Sequence, residues 1–266
     1  MNLLGALWKA GGDMMLAILN FFYGLTHSYG LAIILLTLVI RLLLHPLNHK
    51  QMVSMQRMQK LQPRMKVLQE KYGNDKAKLN EETMKLYKEN KVNPAAGCLP
   101  LLVQLPILIL LFRALMNYDF GSISFLGVEL MGSVLSTLAH AVGMAPDASI
   151  GVVSVLSAVA ANPAGLANVS VYGGNFILLV IISFLTWFQQ QLTSSGNPQM
   201  AMMNWFMPVF LAFICLSLPG GVLLYWGVSS LAGVVQQWFL HRKTELEMKE
   251  KPSLFRNKPN REGDEE

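Results

Sequence analysis

Apolar runs, each close to the length that crosses a bilayer, alternate with segments that gather nearly all of the charge, and this alternation constrains the fold more than any other feature. A helix needs about 20 mostly apolar residues to cross roughly 30 Å of hydrocarbon. Runs of that kind fall at residues 26–47, 96–117, 175–194, 203–218 and 220–240. The second contains Pro106 and carries Arg113 near its end, and the fourth is short, which suits a thin or protein-buried path. Only 14% of the residues are charged, against roughly 25% in an average soluble domain. The sequence therefore predicts an all-α integral membrane protein with five transmembrane helices. Residues 1–25 are expected to form an N-terminal helix lying in the outer interface, because the apolar stretch 14–25 is only half a span long and meets the polar cluster Thr26, His27, Ser28.

Orientation follows from the lysine and arginine bias, which tracks the cytoplasmic side. Residues 48–94 hold eleven basic side chains and the tail after Leu240 holds seven, whereas 118–174 holds none against Asp119, Glu129 and Asp147. The segment 48–95, the short loop 195–202 and the tail 241–266 are thus expected inside, with the N-terminus and the loop 118–174 outside. That outer loop is apolar but broken by Gly, Pro, Ser and Asn, and one or two short interfacial helices are expected in it.

Within 48–95, Met52, Met55, Met58, Leu61, Met65, Leu68 and Tyr72 recur at helical spacing, a turn signal follows at residues 72–75, and Leu79, Met84, Leu86 and Tyr87 mark a second amphipathic helix. The two make a cytoplasmic helical hairpin, kinked at Pro63. The methionine stripe has two readings. It zips the helices together, or part of it stays exposed as a soft, adaptable surface for varied apolar partners.

Polar residues inside apolar runs need a reason. Arg41 in the first span costs about 2.5–3.5 kcal/mol at a bilayer centre. Either its long stem snorkels to the cytoplasmic interface or it faces a water-filled cavity between helices. Thr37 lies one turn before it on the same face. Gln104 sits in the second span, Gln189, Gln190 and Gln191 end the third, and Gln236 and Gln237 end the fifth; several amides near one arginine suggest a hydrated recess. Tyr225 and Trp226 suit either an aromatic belt or a substrate contact. No phosphate-binding loop, HExxH or CxxC spacing is present and the five histidines are scattered, so no catalytic set, nucleotide hydrolysis, metal or cofactor is expected. Cys98 and Cys215 lie at or within apolar runs and suggest no disulfide framework. No internal repeat is evident.

Four stretches carry a resemblance. TLVIRLLLHPL at 37–47, VNPAAGCLPLLVQLPI at 92–107, NPQMAMMNWFMPVF at 197–210 and LPGGVLLYWGVSSL at 218–231 occur in an order and spacing similar to those of the YidC/Oxa/Alb membrane protein insertases. The likeness extends from about Gly24 to His241. The resemblance implies a five-helix core around a hydrophilic, positively charged groove, open to cytoplasm and lipid and closed outside, through which nascent membrane proteins are inserted and helped to fold without nucleotide. It implies Arg41 as the groove arginine, Thr37 as a functional threonine, Tyr225 and Trp226 as the aromatic pair contacting substrate, and Leu105 and Leu108 as apolar substrate-facing positions. Gln104 and Gln190 join this set on polarity alone. Implied partners are nascent membrane proteins, the lipid bilayer, the ribosome and the Sec translocon, with no direct nucleic-acid substrate; the implied location is the bacterial plasma membrane. The large folded outer domain of many Gram-negative members is not seen, so the chain looks closer to the Gram-positive type, although without a lipobox. A small-solute channel or transporter, and a structural subunit of a translocation complex, are the competing classes. The odd span count and missing repeat weigh against a transporter.

Overall fold

The computed structural model describes residues 3–90, 92–93, 99–116, 123–145, 148–193 and 198–250. The expected boundary regions at 94–98, 117–122 and 194–197 and the tail 251–266 lie outside the described residues. What is described is mostly helical: eleven α-helices and one two-stranded antiparallel hairpin.

Helix α1 runs unbroken over Leu3–Thr26, close to the expected residues 1–25. Gly11 sits where an added Cβ would lie 3.2 Å from Leu110 on α6 (Leu99–Met116). The missing side chain is a packing device there. Met15 and Leu19 of α1 are buried against Tyr29, Ala32 and Leu36 of α2 (Tyr29–Leu43) and Leu111 of α6. His27, in the left-handed region at φ 51°, turns the chain from α1 into α2, and Ser28 caps the new helix.

The helix of the first expected span does not run straight to residue 47. Helix α2 stops at Leu43, and α3 (His45–Lys60) starts after a 64° bend with Pro46 in its first turn. A proline lacks the N–H that a continuing helix needs, and its ring disfavours helical geometry in the residue before it, so the helix restarts around it. The same rule separates α3 from α4 (Gln62–Tyr72): Pro63 opens a new helix after a break at Leu61. Helix α4 packs on α5 (Lys76–Glu89), with Met58, Leu61, Met65 and Leu86 buried together and Met55, Leu68 and Tyr87 alongside. Most of the methionine stripe therefore zips this helical pair, while Met84 and Val67 remain exposed.

Between α6 and α9 come a short hairpin, β1 (Ser124–Phe125) and β2 (Val128–Glu129), then α7 (Val134–Ala141), α8 (Val152–Ala161) and a 3-10 turn over Pro163–Ala167. Helix α9 (Val169–Thr193) is about 37 Å long at 1.5 Å per residue. Among the described residues it is the one straight helix long and apolar enough to cross a membrane; the bent pair α2–α3 passes the same test jointly, and shorter apolar segments lie within α6, α8 and α10 (Pro198–Cys215). Helix α11 (Gly220–Glu250) continues ten residues past the expected end of the fifth span.

The exterior is the reverse of a water-soluble surface. Leu38 and Leu42 of α2, Ile109 of α6, Ile177, Val180, Ile181 and Phe184 of α9, Phe206, Phe210 and Phe213 of α10, and Leu231, Val235 and Trp238 of α11 are all exposed. Apolar area this extensive on an outer face marks contact with lipid or protein rather than water. In lipid the hydrophobic effect does not hold helices together; close packing and hydrogen bonds do.

One set of such bonds closes one end of the bundle. Asn175 of α9, fully buried, accepts a hydrogen bond from the Glu129 amide at 2.7 Å and donates to the carbonyls of Glu129 (3.0 Å) and Gly132 (2.8 Å). The amides of Gly220 and Gly221 donate to Gly132 and Leu130 at 2.9 and 2.8 Å. Four glycines make room for this segment: a Cβ on Gly30 would overlap the Phe125 ring, one on Gly174 the Gly127 carbonyl, and one on Gly220 the Glu129 carbonyl, while one on Gly221 would crowd Leu115. Val128 and Leu130 then enter the core beside Ile33, Leu115, Val222 and Tyr225. The β1–β2 hairpin is thus seated across α2, α9 and α11.

Candidate functional site

Toward the other end, α2 and α11 face each other with polar stripes. On α11, Tyr225, Ser229 and Gly233 follow at four-residue spacing and share a face; on α2, Thr37 and Arg41 do the same. Arg41 turns toward α11, where its Nε donates to the Ser229 hydroxyl at 2.7 Å. Its two terminal nitrogens lie 3.6 Å from where a Cβ on Gly233 would stand, so that glycine gives the guanidinium room. Among the described residues no carboxylate forms an ion pair with Arg41. Its charge is held by a neutral hydroxyl.

The neighbouring groups are neutral and polar. Tyr225, only 1% exposed, accepts a hydrogen bond from Gln104 Nε2 of α6 at 3.0 Å. Gln189 of α9 donates to the Ser230 carbonyl at 3.0 Å, and a Cβ on Gly233 would collide with the same amide. Thr37 is fully buried, and its hydroxyl donates to the Ile33 carbonyl at 2.6 Å, within its own helix. Two buried amide nitrogens, Gln51 Nε2 on α3 and Gln236 Nε2 on α11, have no hydrogen-bond partner among the described residues. Both lie along the chain on the Arg41 side of the hairpin-closed end. A buried donor left unpaired costs about 1–3 kcal/mol, so such pairs usually mark a place that water reaches.

The structure brings Arg41, Gln104 and Tyr225 into one polar layer with Thr37 a turn away, joins to it Gln189, one of the amides grouped at the end of the third span, and adds Ser229 and Gly233, which the sequence reading had not singled out. Leu105 is exposed on α6, and Leu108 is half-buried against the core. Gln190 is half-buried and partnered. Trp226 departs from its neighbour: it packs with Ile182, Cys215 and Leu223 and lines a crevice with Pro208 and Leu211, on the side of α9 and α10 rather than beside Arg41. No group of three His, Cys, Asp or Glu side chains able to hold a metal occurs among the described residues.

An apolar-faced helical bundle closed at one end and carrying, between its helices, a cation with no carboxylate partner among the described residues defines a membrane-embedded protein with an internal polar layer. Comparison with known proteins makes this specific. The profile of the 60Kd inner membrane protein family matches residues 21–249, and the chain belongs to that family. It is 38% identical over 226 residues to a membrane protein insertase YidC of Nitratidesulfovibrio vulgaris (strain Miyazaki F), covering 85% of this chain and 37% of the relative. It is 36% identical over 228 residues to the membrane protein insertase YidC of Maridesulfovibrio salexigens, with 85% and 37% covered. Among solved structures it matches an active YidC insertase crystal structure with its first transmembrane domain resolved, at TM-score 0.61 and 30% identity, over 86% of this chain and 46% of that one. The chain thus spans less than two-fifths of the length of these curated relatives.

Proposed function

We propose that this chain is a membrane protein insertase and chaperone, working in a bacterial plasma membrane without nucleotide, cofactor or covalent chemistry. The observation that carries the reading is the placement of Arg41, a permanent cation turned inward onto Ser229 with no carboxylate partner among the described residues. Isolated charges in hydrocarbon are expensive and tend to mark a wet, functional interior. The orphan donors of Gln51 and Gln236 fit a hydrated recess around the same end.

Five spans remain the topology that the sequence favours, with α3 to α5 as a cytoplasmic hairpin. The Arg41 end of α2 leads directly into the segment with eleven basic residues, so it faces the cytoplasm, and the end closed by residues 123–132 faces outward. The acidic or polar tail of a nascent protein enters from the cytoplasm and is solvated by water and Arg41 instead of lipid. The substrate's apolar segment moves along α2, α6 and α11 past Leu105 and Leu108 into the bilayer, and burial of that segment drives release. The ribosome and the Sec translocon are the expected suppliers, with the hairpin as the first contact.

The test is insertion of a short single-span substrate with an acidic tail into liposomes holding only this protein. Reversing the charge in Arg41→Glu should slow insertion about tenfold to a hundredfold, the rate equivalent of about 1.4–2.7 kcal/mol, and Arg41→Lys should restore most of it. Equal rates for all three would contradict the electrostatic reading. Ion or solute flux without insertion would favour a channel instead.

A further inference from the structure

Helix α8 has two apolar faces, and only one is covered. Val155 is buried with Leu135 and Ala139, and Val152 and Val159 pack alongside. On the opposite face Val153 is 81% exposed and Leu156 61%, with Ile150 exposed just before the helix. Side chains of this size each gain about 1.5–3 kcal/mol when taken out of water. The helix carries no charge, and no Asp, Glu, Lys or Arg lies anywhere between Asp147 and Arg242. At ten residues it is about 15 Å long, half of what a crossing needs.

Its position is fixed. Asn162 Nδ2 donates to the Val142 carbonyl at 3.0 Å, tying the end of α8 to the end of α7. The Gly165 backbone lies so close to α7 that a Cβ would stand 2.7 Å from the Ala141 carbonyl oxygen and from Val142 Cα. The 3-10 turn then leads into α9, and exposed apolar side chains run on from α8 through Leu166 and Val169 to Phe176, Ile177 and Val180. The bare face of α8 continues, along the chain, the outward apolar surface of the longest membrane-competent helix.

We propose that α8 lies flat in the outer leaflet with Val153 and Leu156 among the acyl chains, so that lipid is its partner. The inference rests on the reading that α9 crosses the bilayer with its Val169 end outward. Because α8 has no basic residue, its attachment needs no anionic headgroup.

The experiment places a nitroxide on Val153→Cys or Leu156→Cys in the whole chain, with Cys98 and Cys215 replaced by Ala, in phosphatidylcholine vesicles. Collision with oxygen, which concentrates in lipid, is compared with collision with a water-soluble nickel complex. Val180→Cys on α9 and Asn80→Cys on the exposed face of α5 serve as references. The oxygen-to-nickel ratio at 153 and 156 should be several-fold above that at 80 and close to that at 180. A ratio matching that at 80 would overturn the proposal, as would labels shielded from both reagents, which would mean that a second copy covers the face. A nickel-accessible label at 180 would overturn the membrane reading and this inference with it.

Discussion

The same three helices, α2, α9 and α11, build two ends of opposite character. Around Gly30, Asn175 and Gly220 the polar groups of the 123–132 segment find partners inside the protein, and glycines let backbone approach backbone. About ten residues further along α2 and α11, Arg41 donates to the neutral hydroxyl of Ser229 and meets no carboxylate among the described residues, where the Gln51 and Gln236 amides also lack partners. In a lipid-facing bundle, hydrogen bonds supply much of the cohesion. The contrast therefore separates a rigid closure from a polar layer with capacity to spare.

Perturbations should divide along that line. Asn175→Leu leaves the amide and carbonyl of Glu129 unpaired, at about 1–3 kcal/mol each, and leaves the Gly132 carbonyl with the Gly220 amide alone. It should cause the largest loss, seen as poor accumulation and a lower unfolding temperature in detergent, and wild-type stability would show that the closure is not held there. Gly220→Val drives a side chain into the Glu129 carbonyl and should give the same phenotype. Ser229→Ala removes a hydrogen bond to a charged group, about 1.5–3 kcal/mol of stability, and should also slow insertion of an acidic-tailed substrate about tenfold. Neutral-tailed substrates should be spared and Ser229→Thr should recover the rate; equal slowing of both substrate types would make Ser229 merely structural. Gln104→Leu removes the bond to Tyr225 and should have the smallest effect, about 1 kcal/mol on stability, measured as a modest drop in unfolding temperature.

Much of the helical layout is legible in the sequence because it depends on local period and composition. The stripe from Met55 to Leu68 forms the helical-pair core as its spacing suggests. The misses have physical causes. The extent of α1 matches the expected residues 1–25 closely, but the use of Gly11, close approach to Leu110, depends on a partner far along the chain. The bend at Leu44 was signalled by Pro46, but hydropathy carries the apolar run straight through it. Of three consecutive glutamines, each about 100° apart around a helix, Gln189 is the one whose bond to α11 is resolved at the Ser230 carbonyl, and composition does not select among them. Ser229 is one of many serines, yet the Tyr225–Ser229–Gly233 spacing opposite Thr37–Arg41 could have exposed it. The seat of the 123–132 segment rests on backbone-to-backbone contacts, whose only trace in sequence is the glycines at 30, 174, 220 and 221.

The most direct measurement of the central claim asks from which side water reaches position 41. Arg41→Cys, with Cys98 and Cys215 replaced by Ala, is treated with a charged thiol reagent that cannot cross membranes, in vesicles of known orientation. The account predicts rapid modification from the cytoplasmic face and protection from the outer face, with outer access appearing when Asn175→Leu is added. Modification from the outer face of the otherwise intact protein, or none from either face, would contradict it.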